Sequence, residues 1–265
     1  MNAVPIFKPL NEPVRAKIIE LPTIIRTSKQ DESVEYNKEE GVGKRCNKVA
    51  GVSSEVYPLI SEQEIKSMVD MFNKHIDEAV DGNKKQIASR NKMLFLVGIN
   101  LGIRASDLCG LTYKFFLKED GTFKDYYSFQ PKKTKKSGKF VKLYFNDTVK
   151  KAVADYMADY PFENMDEYLF KSRKGDSHIT EIHLGKIIKD TAKEVGIERN
   201  ICSHSLRKTF GYFVYHNAND KDNALIILQT IFNHSSPSIT SKYIGLTDDE
   251  VSDVFNSLDL GLDYI

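Results

Sequence analysis

The sequence has few cysteines and no long apolar run. Its 265 residues contain three cysteines, Cys46, Cys109 and Cys202. An odd number of widely spaced cysteines gives neither a disulfide framework nor a Cys-x-x-Cys metal or redox pair. No window approaches the ~20 consecutive apolar residues that a membrane-spanning helix needs, and the N-terminus lacks the features of a secretory signal. These absences predict a reduced, cytoplasmic protein that has no membrane partner.

The sequence also lacks an excess of charge of either sign. This near-neutral total is the sum of a basic region and an acidic region. The formal net charge is +1, although six lysines and no acid lie between Lys132 and Lys142. The last twenty residues hold six acids and no base, so the other 245 residues carry a net charge of +7. This asymmetry indicates a polyanionic partner.

The chain divides into an arm, one large domain and a tail. Five of the eight prolines fall in the first sixty residues, and proline at this density prevents continuous helices. Residues 1–57 are therefore predicted to form an extended, partly disordered arm or linker. Residues 58–246 form the predicted domain, and residues 247–265 form an acidic tail in which 248–258 has the spacing of a short helix.

The domain is predicted to be mainly α with a small antiparallel β-sheet, an α+β fold. Ser61 and Glu64 form a capping-box pattern that starts a helix, and Gly102 ends a second one over about 86–100. Aromatic and β-branched runs on both sides of the segment 132–138 predict a hairpin with a lysine-rich loop. Further helices are predicted at about 105–109, 147–159, 179–195, 203–217 and 222–233.

Several side chains could carry chemistry, and each has a structural explanation when it is taken alone. Arg104 and Asp107 have the spacing of an ion pair on one helical turn. The hairpin lysines could be a solvated loop. His204 and Arg207 share a helix face, where two cationic donors suit an oxyanion, or they could form the polar side of a capped helix.

The last two candidates lie further along the chain. His234 follows an apolar helix and could simply interact with the C-terminal end of the helix dipole. Tyr243 is one of thirteen tyrosines, and a phenol with its ordinary pKa of ≈10 is a poor nucleophile. The order and spacing of all these residues along the chain are more specific than any of them separately.

Four segments in order resemble the phage-type tyrosine recombinases, or integrases. Leu101–Leu111 resembles their first conserved box, and His204–Phe210 resembles their His-x-x-Arg box. Phe232–Tyr243 resembles the last box, which runs from a histidine to the nucleophilic tyrosine, and Tyr168–Ser172 is similar to the short segment between boxes. The resemblance covers about residues 58–257.

The resemblance implies a site-specific DNA recombinase, with 58–246 as its catalytic domain. It cleaves and rejoins DNA strands through a 3′-phosphotyrosyl intermediate, without a metal, a nucleotide or another cofactor. Two permanently charged guanidiniums can hold the non-bridging oxygens of a phosphodiester, and a lysine can protonate the departing 5′ oxygen. The implied catalytic residues are Arg104, Lys133, His204, Arg207, His234 and Tyr243.

The supporting residues follow from the same resemblance. Lys136 is the alternative to Lys133, and Asp107 is expected to orient the arginines. The expected partner is double-stranded DNA, on which the protein assembles as a dimer or tetramer, with DNA-bending proteins as accessory partners. The expected DNA-binding residues are Lys132, Lys135, Lys136, Lys139, Arg173, Lys174 and Lys208.

The sequence departs from the family pattern in three places. Lys208 stands where a second histidine or arginine is common, and Asn233 replaces a glycine that usually precedes the last histidine. The proline-rich arm cannot form the separate helical core-binding domain that family members typically carry, which predicts weak DNA affinity in isolation. The acidic tail either docks on a neighbouring protomer or folds back on its own domain.

Two other functions compete with the recombinase. A catalytically silent DNA-binding regulator could keep the same fold, since fold does not fix function. The complete set of basic residues and the tyrosine argues against it, because a pure DNA binder does not need that tyrosine. A metal-dependent phosphoesterase is a poor match, because the sequence has no His-Glu-x-x-His motif and no carboxylate cluster at ligand spacing.

Overall fold

The computed structural model describes residues 55–132, 138, 140–173 and 175–244. Most of the predicted arm and all of the predicted acidic tail therefore lie outside the described residues. Within them the protein has nine helices and one antiparallel hairpin, which confirms the predicted fold class. In chain order these are α1 Glu62–Asp77, α2 Gly82–Leu101, α3 Ala105–Cys109, α4 Tyr113–Phe116, β1 Tyr126–Phe129, β2 Val141–Tyr144, α5 Asp147–Asp159, α6 Glu181–Glu194, α7 Ser203–His216, α8 Lys221–Phe232 and α9 Pro237–Ile244.

Side-chain caps set the beginnings of the first two helices. The Ser61 hydroxyl accepts a hydrogen bond from the Glu64 amide at 3.2 Å, as the capping-box pattern predicts. Helix α2 begins four residues before the predicted position, because the Asp81 carboxylate accepts from the Lys84 amide at 2.8 Å and caps it there. Its end was predicted correctly: Gly102 has φ +60°, a left-handed conformation that favours glycine.

Helices α4 and α9 were missed in the sequence. Helix α4 has four residues, too few to show a helical period. Helix α9 has eight, and its signal is a serine followed by proline. The Ser236 hydroxyl accepts from the Ile239 amide at 3.4 Å, and Pro237 occupies the first helical position, where proline is common because no amide hydrogen is needed there.

The apolar side chains of the described residues form two separate clusters. The main core spans α1 to α7 and the hairpin, with rings such as Phe72, Phe95 and Phe116 almost fully buried. The second cluster centres on the fully buried Leu228 of α8, Phe232 of α8 and Ile244 of α9. Helix α7 contributes to both clusters and therefore joins them. No helix in the part of the chain that is described has the length and apolar character to cross a bilayer.

Candidate active site

Helix α7 and the end of α2 approach each other closely at the site. A Cβ atom on Gly102 would lie 2.3 Å from Cδ1 of Phe210, and its positive φ turns the chain sharply after α2. Arg104 follows as the N-cap residue of α3. Glycine at position 102 therefore allows Arg104 to emerge beside the helix that carries Arg207.

The Arg207 side chain connects the two apolar clusters. It is only 5% exposed, and its Nη1 donates to the Gly102 carbonyl at 2.7 Å while Nη2 donates to the Phe232 carbonyl at 2.9 Å. The guanidinium carbon lies 4.2 Å from the centroid of the Phe232 ring. Burial lowers the pKa of Arg207 to about 10, so it remains charged at neutral pH. The guanidinium also interacts with the Tyr243 side chain by hydrogen bonding, and its remaining N–H groups can bind an anion.

Tyr243 lies beside this guanidinium, on α9. Its ring centroid is 5.9 Å from the Arg207 guanidinium carbon, and the rings of Phe232 and His234 meet it edge-on at 5.4 and 5.2 Å. Burial raises the pKa of the phenol, while the charges of Arg207 and Arg104 lower it and offset part of that rise. The free protein therefore holds a neutral phenol surrounded by groups that stabilise the phenolate.

His234 is directed toward the same place by a reversal of the chain after α8. Asn233 ends α8 in the left-handed conformation, φ 50° and ψ 48°, that its replacement of glycine requires. Nδ1 of His234 lies 3.1 Å from Oγ1 of the fully buried Thr240, a hydrogen bond that fixes the ring. Burial and the charges of Arg207 and Arg104 lower the pKa of His234 to about 4, so the imidazole is neutral at pH 7.

Asp107 connects the arginines to the hairpin. It is 3% exposed, and its Oδ1 accepts a hydrogen bond from the Lys132 amide at 3.1 Å. Oδ2 is buried and has no hydrogen-bond partner among the described residues. Burial raises the pKa of this carboxyl, while Lys132, Arg104 and Arg207 lower it. Lys132, the first residue of the lysine-rich segment, is thus hydrogen-bonded to the carboxylate that lies near the two arginines.

A small cleft lies at Arg104, Asp107 and Arg207. The rest of its lining is apolar and comes from the hairpin, from α8 and from Ile103. The apolar lining consists of Ile103, Phe129, Pro131, Val141, Leu143 and Ile231. Two guanidiniums facing one cleft with apolar walls suit a phosphate group, because the attraction between opposite charges is stronger where water is excluded.

Three other candidate residues lie in the described part of the chain, and they differ in their contacts with Arg207 and Tyr243. His204 is exposed in the first turn of α7, and no contact among the described side chains joins it to Arg207 or Tyr243. Lys208 is half-buried, with its Nζ 5.6 Å from the centroid of the Tyr243 ring. Arg173 is exposed in the loop between Lys171 and His178. Burial lowers the pKa of His183, and the charges of Arg90, Lys186 and Arg173 lower it further.

The remaining lysine candidates have no described position. The lysines outside the described residues are Lys133, Lys135, Lys136, Lys139 and Lys174. Lys132 is described: its Nζ donates to the Ser106 carbonyl at 3.4 Å, close to Gly110. Among the residues with described side chains, no group of three or more His, Cys, Asp and Glu is placed to hold a metal ion.

The sequence analysis missed two contributions to the site. Gly211 of α7 allows α9 to approach, since a Cβ there would lie 2.6 Å from Cγ2 of Ile244 and 3.0 Å from the Phe232 ring. Lys208 was assigned to DNA binding alone, although it faces the Tyr243 ring. Neither contribution can be recognised in one sequence, because each depends on which residue lies opposite in space.

Comparisons with known proteins identify the family of the chain. The model of the Phage integrase family matches residues 59–250. The probable integrase/recombinase YoeC of Bacillus subtilis (strain 168) is 38% identical over 175 residues, which are 65% of this chain and 88% of that protein.

Solved recombinases share the fold. XerA recombinase matches with a TM-score of 0.55 and 20% identity, over 78% of this chain and 66% of that one. XerH site-specific recombinase, bound to a palindromic difH substrate in a post-cleavage complex, matches with a TM-score of 0.56 and 19% identity, over 79% of this chain and 55% of that one. The chain thus spans between about half and two thirds of these solved proteins. By its sequence matches, the chain belongs to the phage integrase family of tyrosine recombinases.

Proposed function

We propose that this protein is a site-specific DNA recombinase that cleaves and rejoins strands through Tyr243. The observation that carries the proposal is the position of the Tyr243 ring beside the buried guanidinium of Arg207, next to a cleft that Arg104 also lines. Family membership supports the same reaction. The Tyr243 oxygen attacks the phosphorus of a DNA phosphodiester, the bond to the 5′ oxygen breaks, and a 3′-phosphotyrosyl ester forms.

The two arginines bind the phosphate and stabilise the charge that develops on it. Attack adds negative charge to the non-bridging oxygens, and planar guanidiniums can donate paired hydrogen bonds to them. Arg207 is held in place by the carbonyls of Gly102 and Phe232, so its direction is fixed before DNA binds. The neutral His234 is proposed to supply a further hydrogen bond from its Nε2–H, in the tautomer in which Nδ1 accepts from the Thr240 hydroxyl.

Two protons move in this step. The phenol of Tyr243 loses one, and the 5′ oxygen gains one as it departs. His204, three residues before Arg207 on the same side of α7, is proposed to accept the first proton. Lys133 is proposed to donate the second, with Lys136 as the alternative, because it directly follows Lys132, whose amide is bonded to Asp107. Asp107 thereby holds Lys132, the first residue of the lysine segment, and places a carboxylate near the two arginines.

Rejoining reverses these steps with a new 5′ hydroxyl as the nucleophile. Because the phosphotyrosyl ester conserves the energy of the broken bond, the cycle requires neither a nucleotide nor a metal. The proposed partner is double-stranded DNA, bound by a dimer or tetramer in the cytoplasm of a bacterium or phage-infected cell, with DNA-bending proteins as accessory partners. Residues 58–246 are proposed as the catalytic domain.

A nicked suicide substrate tests the covalent step. The protein is incubated with this DNA in a chelator, and adducts are separated on a denaturing gel. We expect an adduct with the native protein and with Tyr126→Phe, whose ring is on the exposed face of the hairpin, but none with Tyr243→Phe. Retardation of DNA on a native gel without an adduct would indicate a regulator, and strict dependence on a metal would indicate a phosphoesterase.

A sulfur substitution tests the assignment of the general acid. When sulfur replaces the bridging 5′ oxygen, the leaving group is a thiolate that needs no proton, since thiols have a pKa of about 8.5. Lys133→Ala should then cleave ordinary DNA poorly and the sulfur-containing DNA at nearly the native rate. Equal loss on both substrates would remove Lys133 from this role, and rescue of Lys136→Ala alone would transfer the role to Lys136.

A further inference from the structure

We propose that Lys208 positions the nucleophile, by holding its ammonium against the face of the Tyr243 ring; this inference rests on the proposed role of Tyr243. The Lys208 Nζ lies 5.6 Å from the centroid of that ring. Lys208 directly follows Arg207 on α7, so the two neighbouring side chains meet the same tyrosine from one helix. Cations within about 6 Å of an aromatic centroid are attracted by the electrons of the ring.

The charge of Lys208 is available for this contact. No carboxylate in the described part of the chain lies within salt-bridge distance of its ammonium, although Glu55 and Cys202 interact with it electrostatically. Tyr243 on α9 also faces it. Burial lowers the pKa of Lys208 from its ordinary 10.5, while Glu55 and Cys202 raise it and offset part of that fall.

Helix α9 depends on such a contact because few buried side chains hold it among the described residues. It has eight residues, of which Thr240 and Ile244 are fully buried. The Tyr243 ring is bounded by Phe232 and His234 at its sides, and Lys208 adds an attraction to its face. The attraction increases as the phenol becomes a phenolate, because negative charge then spreads into the ring. Lys208 therefore favours both the docked ring and its reactive form.

Three variants separate this role from DNA binding. Lys208→Met removes the charge and keeps the length, Lys208→Arg keeps the charge, and Lys242→Met removes the exposed lysine beside Tyr243 as a control. Single-turnover cleavage is measured at saturating protein, on the sulfur-containing DNA that needs no general acid. We expect Lys208→Met to be about threefold to tenfold slower, and Lys208→Arg and Lys242→Met to remain within about twofold of the native rate.

The pH profile gives a readout that loss of packing alone would not change. On the sulfur-containing DNA, and at pH values below about 10 at which Arg207 keeps its charge, the native rate should fall as Lys208 loses its proton. Over this range the fall should be absent both in Lys208→Arg, which stays charged, and in Lys208→Met, which has no charge to lose. Native rates for Lys208→Met at saturating protein, failure of Lys208→Arg to restore the rate, or one profile for all variants would each overturn the proposal.

Amide hydrogen exchange makes the test independent of the reaction. If the native protein forms no adduct that depends on Tyr243, the proposed function fails, but the contact on α9 can still be judged. Amides 241–244 should exchange faster in Lys208→Met than in Lys242→Met or the native protein. Equal exchange in all three would contradict the positioning role.

Discussion

The two halves of the proposed active site are supported very differently. Arg104 and Asp107 stand on the main core, which contains 34 buried apolar residues among those described, whereas Tyr243 and His234 stand on a second cluster with three. Arg207 donates a hydrogen bond to each half: to the Gly102 carbonyl in one and to the Phe232 carbonyl in the other. The proposed phosphate-binding groups are therefore fixed firmly, while the proposed nucleophile is on a small element that docks beside them.

This difference predicts unequal local stability. Segments with few buried apolar contacts open at a lower free energy than the global unfolding of the domain. Helix α9 buries Ile244 against Phe232 and the backbone of Gly211, so it should open while the main core remains folded. The reactive phenol can then leave the cations without unfolding of the domain, and its docking becomes a step that contacts such as that of Lys208 control.

The variant Arg207→Lys should have the largest effect on cleavage and stability, because it breaks the connection between the two halves. One ammonium cannot reach both carbonyls and also face the phosphate in the paired geometry of a guanidinium. We expect cleavage to fall by about 10²–10³-fold. Stability should fall by about 1–3 kcal/mol, because a buried carbonyl loses its partner. Single-turnover kinetics and urea unfolding measure the two losses.

Arg104→Lys is the matched control. Arg104 makes no side-chain hydrogen bond to any other described residue, so cleavage should fall while the free energy of unfolding stays within about 0.5 kcal/mol of native. If Arg207→Lys were equally harmless to stability, Arg207 would not connect the two clusters.

The next largest effect on cleavage should come from Gly211→Ala, which should move the two halves apart. The new methyl would lie 2.6 Å from Ile244 Cγ2 and 3.0 Å from the Phe232 ring, which pushes α9 away from Arg207. Since a displacement of 1 Å at a reacting group can lower a rate about 10²-fold, we expect cleavage to fall by one to two orders of magnitude. Hydrogen exchange in α9 should rise while exchange in α2 stays native.

Gly98→Ala is the corresponding change in the main core. Its methyl would lie 2.7 Å from Cδ1 of Leu206, and overpacking of this kind lowers stability by about 1–3 kcal/mol. We expect a lower melting temperature with exchange in α9 little changed. The same exchange pattern from both glycine variants would show that the clusters are not independent.

The sequence predicted which residues lie together better than it predicted what holds them there. Spacing and resemblance selected Arg104, Arg207, His234 and Tyr243, because their order along the chain carries the pattern. The helix under Tyr243 was missed, since its main signal is a single Ser-Pro pair and its stability comes from contacts with α7 and α8. The hydrogen bonds of Arg207 to main-chain carbonyls were equally invisible, because they join positions 105 and 25 residues apart.

Asp107→Asn should have a smaller effect, confined to the half that binds phosphate. The amide oxygen can still accept from the Lys132 amide, but the negative charge beside Arg104 and Arg207 is lost. We expect cleavage to fall by about tenfold, because proton transfer and orientation are perturbed rather than removed. Burial raises the pKa of Asp107, so its charge opposes folding, and the variant should unfold at the native temperature or slightly above it. A large loss of stability would instead mean that the charge of Asp107 holds the arginines in place.

The smallest effect is a pH dependence in the half that carries the nucleophile. The pKa of His234 is lowered from 6.5 to about 4 by burial and the arginines, so the unfolded chain binds more protons than the folded one between these values. Stability is therefore lost as pH falls from about 6.5 toward 4. The melting temperature of His234→Asn should fall less than that of the native protein over this range; parallel curves would contradict the neutral, buried imidazole.

The most direct test of whether the two halves act together is to identify the residue that becomes covalently bound to DNA. Adduct formed in a chelator is digested with protease and nuclease, and the peptide that retains a nucleotide is sequenced by mass spectrometry. We expect one modified residue, Tyr243, joined through its oxygen to a 3′ phosphate. A nucleotide on any other side chain, or linkage to a 5′ phosphate, would contradict the proposed site.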